Sequence, residues 1–358
     1  MKNNISSLYI HIPFCQYICS YCDFPKLQYF RNFALDYLKV LKQELENRVT
    51  NKDLKTIYVG GGTPTSLDDD LFLELLEMIK PYSNKVEEYT FEANPDSLSE
   101  NKIQMMKKYG VNRLSLGVES TNDDILRILN RKHSFEQVKN CVLNAKKAGI
   151  SNINVDLILG LPNVSKALLK KDLENLLSLD PAHISTYSLT VHPHTLFYLN
   201  KVKEPEEDFA YELYEMVDTI LKENGYIHYE VSNFAKPGKE SKHNYVYWDN
   251  EQYFGIGLGA AGYIDDVRYK NTTNLSEYLK GNFEEEHEIV SEIDKKEYQV
   301  ILGLRTIKGL DIDFVNKEKM DVVDSYIQRG YLKKENNRLI PTFNGMMLLD
   351  RIILDLLN

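Results

Sequence analysis

The amino-acid sequence predicts an α/β fold: a curved, incomplete (β/α)6 barrel followed by a small, winged-helix-like C-terminal domain. Over the first two-thirds of the 358 residues, short β-rich runs alternate with amphipathic helical stretches. Strands that alternate with helices form right-handed βαβ units around a parallel sheet. From residue 292 the pattern changes to helices around a polar hairpin. Periodicity alone leaves a doubly wound sheet as the alternative to the barrel.

The barrel strands are predicted from six apolar and β-branched runs, at 8–12, 56–60, 88–92, 113–118, 153–159 and 184–189. Apolar residues at helical spacing predict helices between and after these runs, at 33–48, 71–80, 135–147, 168–177 and 208–224. We therefore assign residues 1–225 to the barrel, which would carry the functional site.

Two further regions follow the barrel. Residues 226–290 are predicted to form a connecting region, whose first part, 226–263, is rich in Gly, Asn and aromatic residues. Residues 291–358 are predicted to form three helices, a polar hairpin at 332–340 and a helix at 344–357. This order is typical of a winged helix. It lacks an obvious basic recognition helix, so we expect it to pack against the barrel or to contact a partner.

Charge and hydropathy argue against two classes of protein. The formal net charge of −10 disfavours nucleic-acid binding, because a phosphate-binding face needs clustered Lys and Arg. No apolar run approaches the roughly 20 residues that span a bilayer, and the first residues lack the apolar segment of a signal peptide. We therefore expect a cytoplasmic protein.

Three cysteines follow the first predicted strand directly. Cys15, Cys19 and Cys22 have the spacing C-x3-C-x2-C, which suits a [4Fe–4S] cluster in which each thiolate binds a different iron. Three ligands for four irons leave one iron open, and the amino and carboxylate groups of S-adenosylmethionine (SAM) can chelate there. The alternatives are a zinc site or three unliganded thiols. Zinc usually takes four ligands, and Cys141, the remaining cysteine, lies in a predicted helix among apolar neighbours.

A glycine-rich turn, Gly60-Gly61-Gly62-Thr63-Pro64, follows the second predicted strand. Glycines let a ligand approach the backbone closely and expose N–H and C=O groups to a zwitterionic amino acid. In a barrel this turn would face the cysteine loop. On its own it fits a plain tight turn equally well.

Five segments together resemble the oxygen-independent coproporphyrinogen dehydrogenase family of radical SAM proteins. They are YIHIPFC with its two following cysteines, GGGTPT, FEANP, RLSLGVES and DLILGLP. The resemblance covers nearly the whole chain. Within the family the chain is most similar to a haem-chaperone branch, whose HNxxYW signature matches HNYVYW at 243–248. The resemblance implies a radical SAM barrel, a [4Fe–4S] cluster, SAM as cofactor and haem as cargo.

The resemblance also implies a set of SAM-binding residues: Tyr9, Tyr21, Gly61, Gly62, Thr63, Glu92, Glu119, Arg131 and Asp156. The two tyrosines would flank the cofactor, and the glycine-rich turn would meet its methionine end.

The charged members of this set have simpler alternatives. Glu92 would lie beside the methionine amino group or the ribose, or it could be a helix-cap partner. Arg131 would oppose the carboxylate, or it could be a surface cation. Asp156 would lie near the ribose hydroxyls, or it could be a loop-facing strand residue, although an unpaired charge in an apolar strand is costly. Glu119 stands where the family usually has Gln, and a carboxylate accepts hydrogen bonds but cannot donate them.

Two functions fit the family. One is a chaperone that passes haem to haem-dependent apoproteins, including membrane respiratory enzymes. The other is a dehydrogenase that uses the cluster and SAM to remove hydrogen from coproporphyrinogen propionates. The dehydrogenases carry a fourth cysteine just after the third and a long N-terminal extension. Here Asp23-Phe24 follows Cys22 and fourteen residues precede Cys15, which favours the chaperone. The sequence does not determine the oligomeric state, and a homodimer is one of the states that it allows.

A haem chaperone needs an axial ligand for the iron. His243 is the first candidate, because the aromatic side chains of its HNYVYW segment could stack on a porphyrin. The alternative is that these aromatic residues pack the junction between domains. His192 and His194 form a second candidate pair, although the family pattern does not require histidines there.

Overall fold

The computed structural model describes residues 5–358 of the chain. The strands are β1 Ser7–Ile12, β2 Phe14–Cys15, β3 Leu27–Gln28, β4 Thr56–Gly61, β5 Glu88–Ala93, β6 Arg113–Glu119, β7 Asn152–Leu159, β8 His183–Ser188, β9 Ile227–Glu230, β10 Asn233–Ala235, β11 Phe254–Ile256, β12 Ala261–Ile264, β13 Val267–Asn271, β14 Glu284–Ile289, β15 Leu310–Asp311, β16 Leu332–Glu335 and β17 Arg338–Pro341.

The helices are α1 Arg31–Arg48, α2 Asp69–Ile79, α3 Glu100–Lys108, α4 Asp123–Ile128, α5 Phe135–Lys147, α6 Lys166–Ser178, α7 Leu196–Leu199, α8 Glu207–Glu223, α9 Lys242–Trp248, α10 Leu275–Leu279, α11 Glu292–Gly303, α12 Met320–Gln328, α13 Phe343–Met347 and α14 Leu349–Leu357. Within residues 5–358, no helix has the length and apolar character needed to cross a membrane.

The main sheet has the strand order β11-β1-β4-β5-β6-β7-β8-β10-β9. From β11 to β8 neighbouring strands are parallel, and the six predicted strands lie side by side in chain order. A doubly wound sheet would reverse its order at a switch point. The incomplete (β/α)6 barrel is therefore confirmed. The antiparallel strands β10 and β9 form its last edge.

Local sequence explains why the crossover helices form where they do. At α5, Ser134 and Gln137 make a reciprocal capping box, which satisfies backbone N–H groups that a helix start leaves unpaired. The buried residues Val138, Cys141 and Val142 then recur at helical spacing and pack towards the sheet. The helix thus packs its apolar side into the core beside the parallel strands.

The region at 226–290 is more than a connection. It supplies β9 and β10 at one edge of the main sheet and β11, parallel to β1, at the other. A second sheet, β12-β13-β14, follows. Because β9, β10 and β11 have only three or four residues each, their hydrophobic pattern is too short to predict a strand.

The C-terminal residues pack around a core of their own. That core contains Val300, Leu304, Leu310, Val323, Leu339 and Ile352, beside a three-stranded sheet of order β15-β17-β16. The helix predicted at 344–357 is interrupted at Leu348, between α13 and α14. The unit joins the barrel through backbone bonds, Val231 N–H to Arg305 O at 3.0 Å and Ile307 N–H to Tyr229 O at 3.0 Å.

Candidate cluster and cofactor site

The carboxyl ends of the parallel barrel strands enclose a cavity of about 400 Å³, termed the central cavity. Ligand sites in α/β barrels form at this edge, because the loops that follow the strands converge there. Its lining includes Cys15, Cys19, Tyr21, Cys22, Asp23, Phe24, Lys26, Gly61, Gly62, Thr63, Glu92, Asn94, Ser115, Gly117, Glu119, Arg131, Asp156, Ile158, Tyr187, Leu189 and His192. All but one of the residues predicted to bind the cluster or SAM are among them; the exception is Tyr9.

The three cysteines line this cavity, and two of them accept hydrogen bonds from residues of two other loops. Thr63 Oγ1 donates to Cys15 Sγ at 3.7 Å, and Arg131 Nη1 donates to Cys19 Sγ at 3.6 Å. Burial raises the pKa of the Cys15 thiol to about 12 and that of Cys22 to about 11. These thiols are therefore protonated at neutral pH until iron binds, and cluster assembly must release their protons.

The donor set fits a cluster better than a single ion. Thiolates are soft ligands, and a [4Fe–4S] cubane needs each of its cysteines on a different iron. Within residues 5–358, no three His, Cys, Asp or Glu side chains are grouped as ligands of one metal ion. Three thiols spread over a shared cavity, with space beside them, match what the C-x3-C-x2-C spacing predicts. A four-ligand zinc site gains no support from this geometry.

The glycine-rich turn packs directly on the strand that leads into the cysteine loop. Gly62 N–H donates to Ile12 O at 2.9 Å, and Thr63 N–H donates to Phe14 O at 2.8 Å. A Cβ atom on Gly62 would lie 2.7 Å from the carbonyl carbon and oxygen of Pro13. Gly61 has φ +116°, a conformation that favours glycine. These glycines thus have a structural role, because only a bare backbone fits against the strand.

Three carboxylates line the central cavity. Glu92 Oε1 accepts from Tyr58 OH at 2.7 Å and Oε2 accepts from Gly61 N–H at 3.0 Å. Burial raises its pKa in spite of those bonds. Burial also raises the pKa of Asp156 to about 7, with the charge of Glu119 adding to the effect. This excess of acidic groups suits a ligand that brings positive charge, such as an ammonium or a sulfonium.

Arg131 is the buried cation of the cavity. Its Nη2 donates to Glu119 Oε1 at 2.9 Å and to Gly117 O, so the sequence-based alternative of a surface cation is wrong. Glu119 reaches Arg131 from the end of β6, where the register with β7 shifts between Gly117 and Glu119 and Glu119 takes φ +66°. A non-glycine residue in this conformation is strained and is typical of binding sites.

Tyr9 lies outside the lining of the central cavity. Its hydroxyl is 2.9 Å from His11 Nδ1, and His11 Nε2 is 2.7 Å from Pro25 O, directly after the cysteine loop. Burial lowers the pKa of His11 to about 4, so the ring is neutral and donates from only one nitrogen. Tyr9 therefore supports the end of the cysteine loop through His11, and a direct contact with SAM stays a prediction.

His243 lies on α9 with its ring fully buried, away from the central cavity. Nδ1 is 2.8 Å from Thr56 Oγ1 and Nε2 is 2.8 Å from Tyr247 OH, so both ring nitrogens have partners. Its ring lies 5.4 Å from that of Tyr58, whose hydroxyl reaches Glu92. Coordination of haem by His243 would require Thr56 or Tyr247 to move, and it stays a prediction.

The burial of His243 has a measurable consequence. Burial lowers its pKa to about 3, below the value of about 6.5 in the unfolded chain. The unfolded state therefore takes up the proton first, and stability falls as the pH drops from about 6.5 towards about 3. We expect His243→Gln to remove about 1 kcal/mol of the fall in unfolding free energy between pH 7 and pH 5.5, measured by urea denaturation beside the wild type. An equal fall in both proteins would show that His243 is not held neutral.

Several lining residues were not predicted as site residues. Asn94 Nδ2 donates to Thr63 Oγ1 at 3.0 Å. Ser115 lines the cavity, and Asn154, which lies behind the lining, donates from Nδ2 to Ser115 Oγ and to Asp156 Oδ1 at 2.8 Å. Asn94 follows β5 at the same edge as Glu92, so its position after a strand was an available signal. Tyr187 lies near the carboxyl end of β8, so the same signal was available for it, whereas Lys26 reaches the cavity through the path of the cysteine loop.

Comparisons with known proteins agree with this geometry. The Radical SAM superfamily matches residues 9–176. The chain is 42% identical over 369 residues to a protein of Bacillus subtilis (strain 168) named heme chaperone HemW, covering 96% of this chain and 97% of that protein. HemW proteins of Lactococcus lactis and Escherichia coli (strain K12) are 39% and 32% identical, covering 100% and 97% of this chain and the same shares of theirs.

A solved structure has the same fold over almost the whole chain. It is the coproporphyrinogen III oxidase HemN of Escherichia coli, described as a radical SAM enzyme, with a TM-score of 0.84 at 22% identity. The alignment covers 98% of this chain and 89% of HemN. At this identity the match supports the fold and carries no argument about activity.

Proposed function

The chain belongs to the HemW family of radical SAM proteins, and from this premise we propose that it is a haem chaperone, which binds haem and delivers it to haem-dependent proteins. The observation that carries the proposal is the similarity to a protein named heme chaperone, which is 42% identical over 96% of this chain. Asp23 and Phe24 after Cys22 support it, since the dehydrogenases resembled here have a further cysteine there.

The central cavity would hold the cluster and SAM. Cys15, Cys19 and Cys22 would bind three irons, and the three carboxylates would face the positively charged groups of SAM. Arg131 would pair with the SAM carboxylate while it keeps its ion pair with Glu119. When bound, this pair of cofactors supplies one-electron chemistry. The chain's own contribution is to orient them and to neutralise their charges.

SAM binding can be tested without any turnover. We expect SAM to change the EPR signal of the reduced cluster, and Gly117→Ala to weaken that change. A Cβ on Gly117 would clash with Arg131 Nη2 and lie 3.0 Å from Asn94 Oδ1, both of which line the cavity. Gly62→Val is a poorer variant because it would disturb the backbone of Pro13.

The EPR signal of Gly117→Ala recorded without SAM is the control, because it shows whether the variant carries as much cluster as the wild type. An EPR signal that saturating SAM leaves unchanged in the wild type would contradict an open iron beside this cavity.

Delivery of haem requires a surface that contacts the acceptor protein, and residues 291–358 supply such a surface beside the barrel. We propose that this unit forms a small domain that contacts the acceptor proteins, which include membrane respiratory enzymes. We also propose that a homodimer is one state of the chaperone. The domain is tied to the HNYVYW segment, since Lys308 Nζ lies 2.6 Å from Asp249 Oδ2 and 3.6 Å from the ring centre of Tyr245. Contact with an acceptor could therefore be transmitted to α9.

The proposal is tested by haem binding together with the absence of enzyme turnover. Purified, cluster-loaded protein should bind haem and should leave coproporphyrinogen III unconverted when SAM and reductant are supplied. Protein that binds no haem would exclude the chaperone, and robust conversion would replace it by the dehydrogenase.

A further inference from the structure

The mouth of the central cavity has an apolar rim. Phe24 is 64% exposed and Tyr187 is 46% exposed, although both are large aromatic residues. Ile158 and Leu189 line the wall of the same cavity and are buried. Exposed aromatic side chains that line a concave site usually mark a binding surface. The rim therefore fits a flat, apolar ligand larger than the polar groups deeper in the cavity.

One histidine stands at this rim. Within residues 5–358, His192 is the histidine that lines the central cavity. Its Nε2 is 3.4 Å from Asp23 Oδ2, and the side chains of both residues are 43% exposed. This distance is longer than that of a normal hydrogen bond, so the pairing is loose. The imidazole is thus accessible to a ligand from the cavity side.

The other histidines differ from His192 in burial, bonding or position. His11, His183 and His243 each have polar partners at both ring nitrogens. His133 and His228 are buried. His194 and His287 are exposed but do not line the central cavity. For iron held at the cavity mouth, the histidine in position is His192.

A cation completes the rim. Lys26 lines the central cavity and also the adjacent cavity of about 500 Å³, in which Lys270 is another lining residue. Lys26 Nζ donates to the Phe24 carbonyl at 3.3 Å, and this hydrogen bond is exposed to solvent. An aromatic face, an imidazole and a lysine together match the three parts of haem: an apolar macrocycle, an iron that accepts an imidazole and carboxylate side chains.

We propose that haem binds at the mouth of the central cavity, with His192 as an axial ligand of its iron. The macrocycle packs on Phe24 and Tyr187, and a propionate pairs with Lys26. This inference rests on the proposed function, since it names the haem site of the chaperone. It places the cargo at the opening above the cluster and SAM, and it leaves His243 in its buried, structural position.

Haem titration of the cluster-loaded protein under anaerobic conditions tests the assignment. The Soret band reports axial ligation, and its amplitude reports affinity. We expect His192→Ala to lose the imidazole-ligated spectrum and to bind haem about tenfold more weakly or worse. His194→Ala, two residues away in the same loop, is the matched control and should bind as the wild type does. His243→Gln should also keep the wild-type spectrum, and Lys26→Gln should weaken binding with the spectrum retained.

A rescue experiment separates ligation from a folding defect. His192→Gly with imidazole added to the buffer should recover the ligated spectrum, whereas a misfolded variant would not respond. An unchanged spectrum and affinity in His192→Ala would overturn the inference and leave the chaperone function standing. Loss of the ligated spectrum in His243→Gln, with His192→Ala unaffected, would likewise overturn it. A wild-type protein that binds no haem would overturn the proposed function itself.

Discussion

Replacing Cys15, Cys19 or Cys22 by Ala is expected to abolish the broad iron–sulfur absorption of anaerobically reconstituted protein. All three thiols line the central cavity, and a cluster held by three cysteines loses a third of its protein ligands with each change. Burial also raises the pKa values of Cys15 and Cys22, so protonation of these thiols competes with iron binding. The measurement is the visible absorption and iron content of each variant after identical reconstitution.

Cys141→Ala is the matched control and should keep the full absorption. Cys141 lies buried on α5, where its thiol donates weakly to Pro95 O at 3.6 Å and Leu98 O at 3.8 Å. It is absent from the lining of the central cavity. A cluster that depends on Cys141, or one that survives the loss of any of the other three, would contradict the assignment of ligands.

Arg131→Met is expected to destabilise the protein by about 3 kcal/mol, because it leaves a buried carboxylate without its cation. The side chains of Arg131 and Glu119 are only 6% and 10% exposed, and their atoms are 2.9 Å apart. Asp156 and Glu92 line the same cavity, so Glu119 would lie among like charges. The variant also removes the hydrogen bond to Cys19 Sγ. Urea denaturation of the cluster-loaded protein measures the loss.

The double variant Arg131→Met/Glu119→Gln separates charge from packing. Neutralising Glu119 removes the unpaired charge, so the double variant should recover most of the lost stability, and the single variant Glu119→Gln should cost less than Arg131→Met. A double variant as unstable as Arg131→Met would show that the guanidinium acts through packing or through Cys19. Either result also measures the coupling between the two residues.

Much of the fold follows from the sequence because the barrel strands are long and apolar. Each of the six predicted strands agrees with the structure to within one residue at either end. The helix at 135–147 agrees at both ends, since Ser134 and Gln137 give a clear start signal. By contrast, α3 was not predicted, because its buried apolar residues are only Ile103 and Met106. The interruption of the C-terminal helix at Leu348 was not predicted, because neither Gly nor Pro stands at that position.

The site was predictable where a motif fixes spacing and unpredictable where tertiary structure decides. The cysteines and the glycine-rich turn meet because consecutive βα loops share one edge of the sheet. The pairing of Glu119 with Arg131 depends on a positive φ that propensity does not encode for Glu. The positions of Tyr9 and His243 depend on which way a side chain points inside the barrel. No spacing along the chain determines this direction, so the sequence could not show that both ring nitrogens of His243 have partners or that His192 lines the central cavity.

The central claim is that this radical SAM protein carries haem without acting on a porphyrinogen. One anaerobic assay tests it most directly: protein with a reconstituted cluster, SAM and reductant is given haem and coproporphyrinogen III in separate, otherwise identical reactions. The claim predicts that haem binds and then passes to an added haem-free acceptor protein, while coproporphyrinogen III remains unconverted. Formation of protoporphyrinogen IX over many turnovers, without stable haem binding, would contradict it.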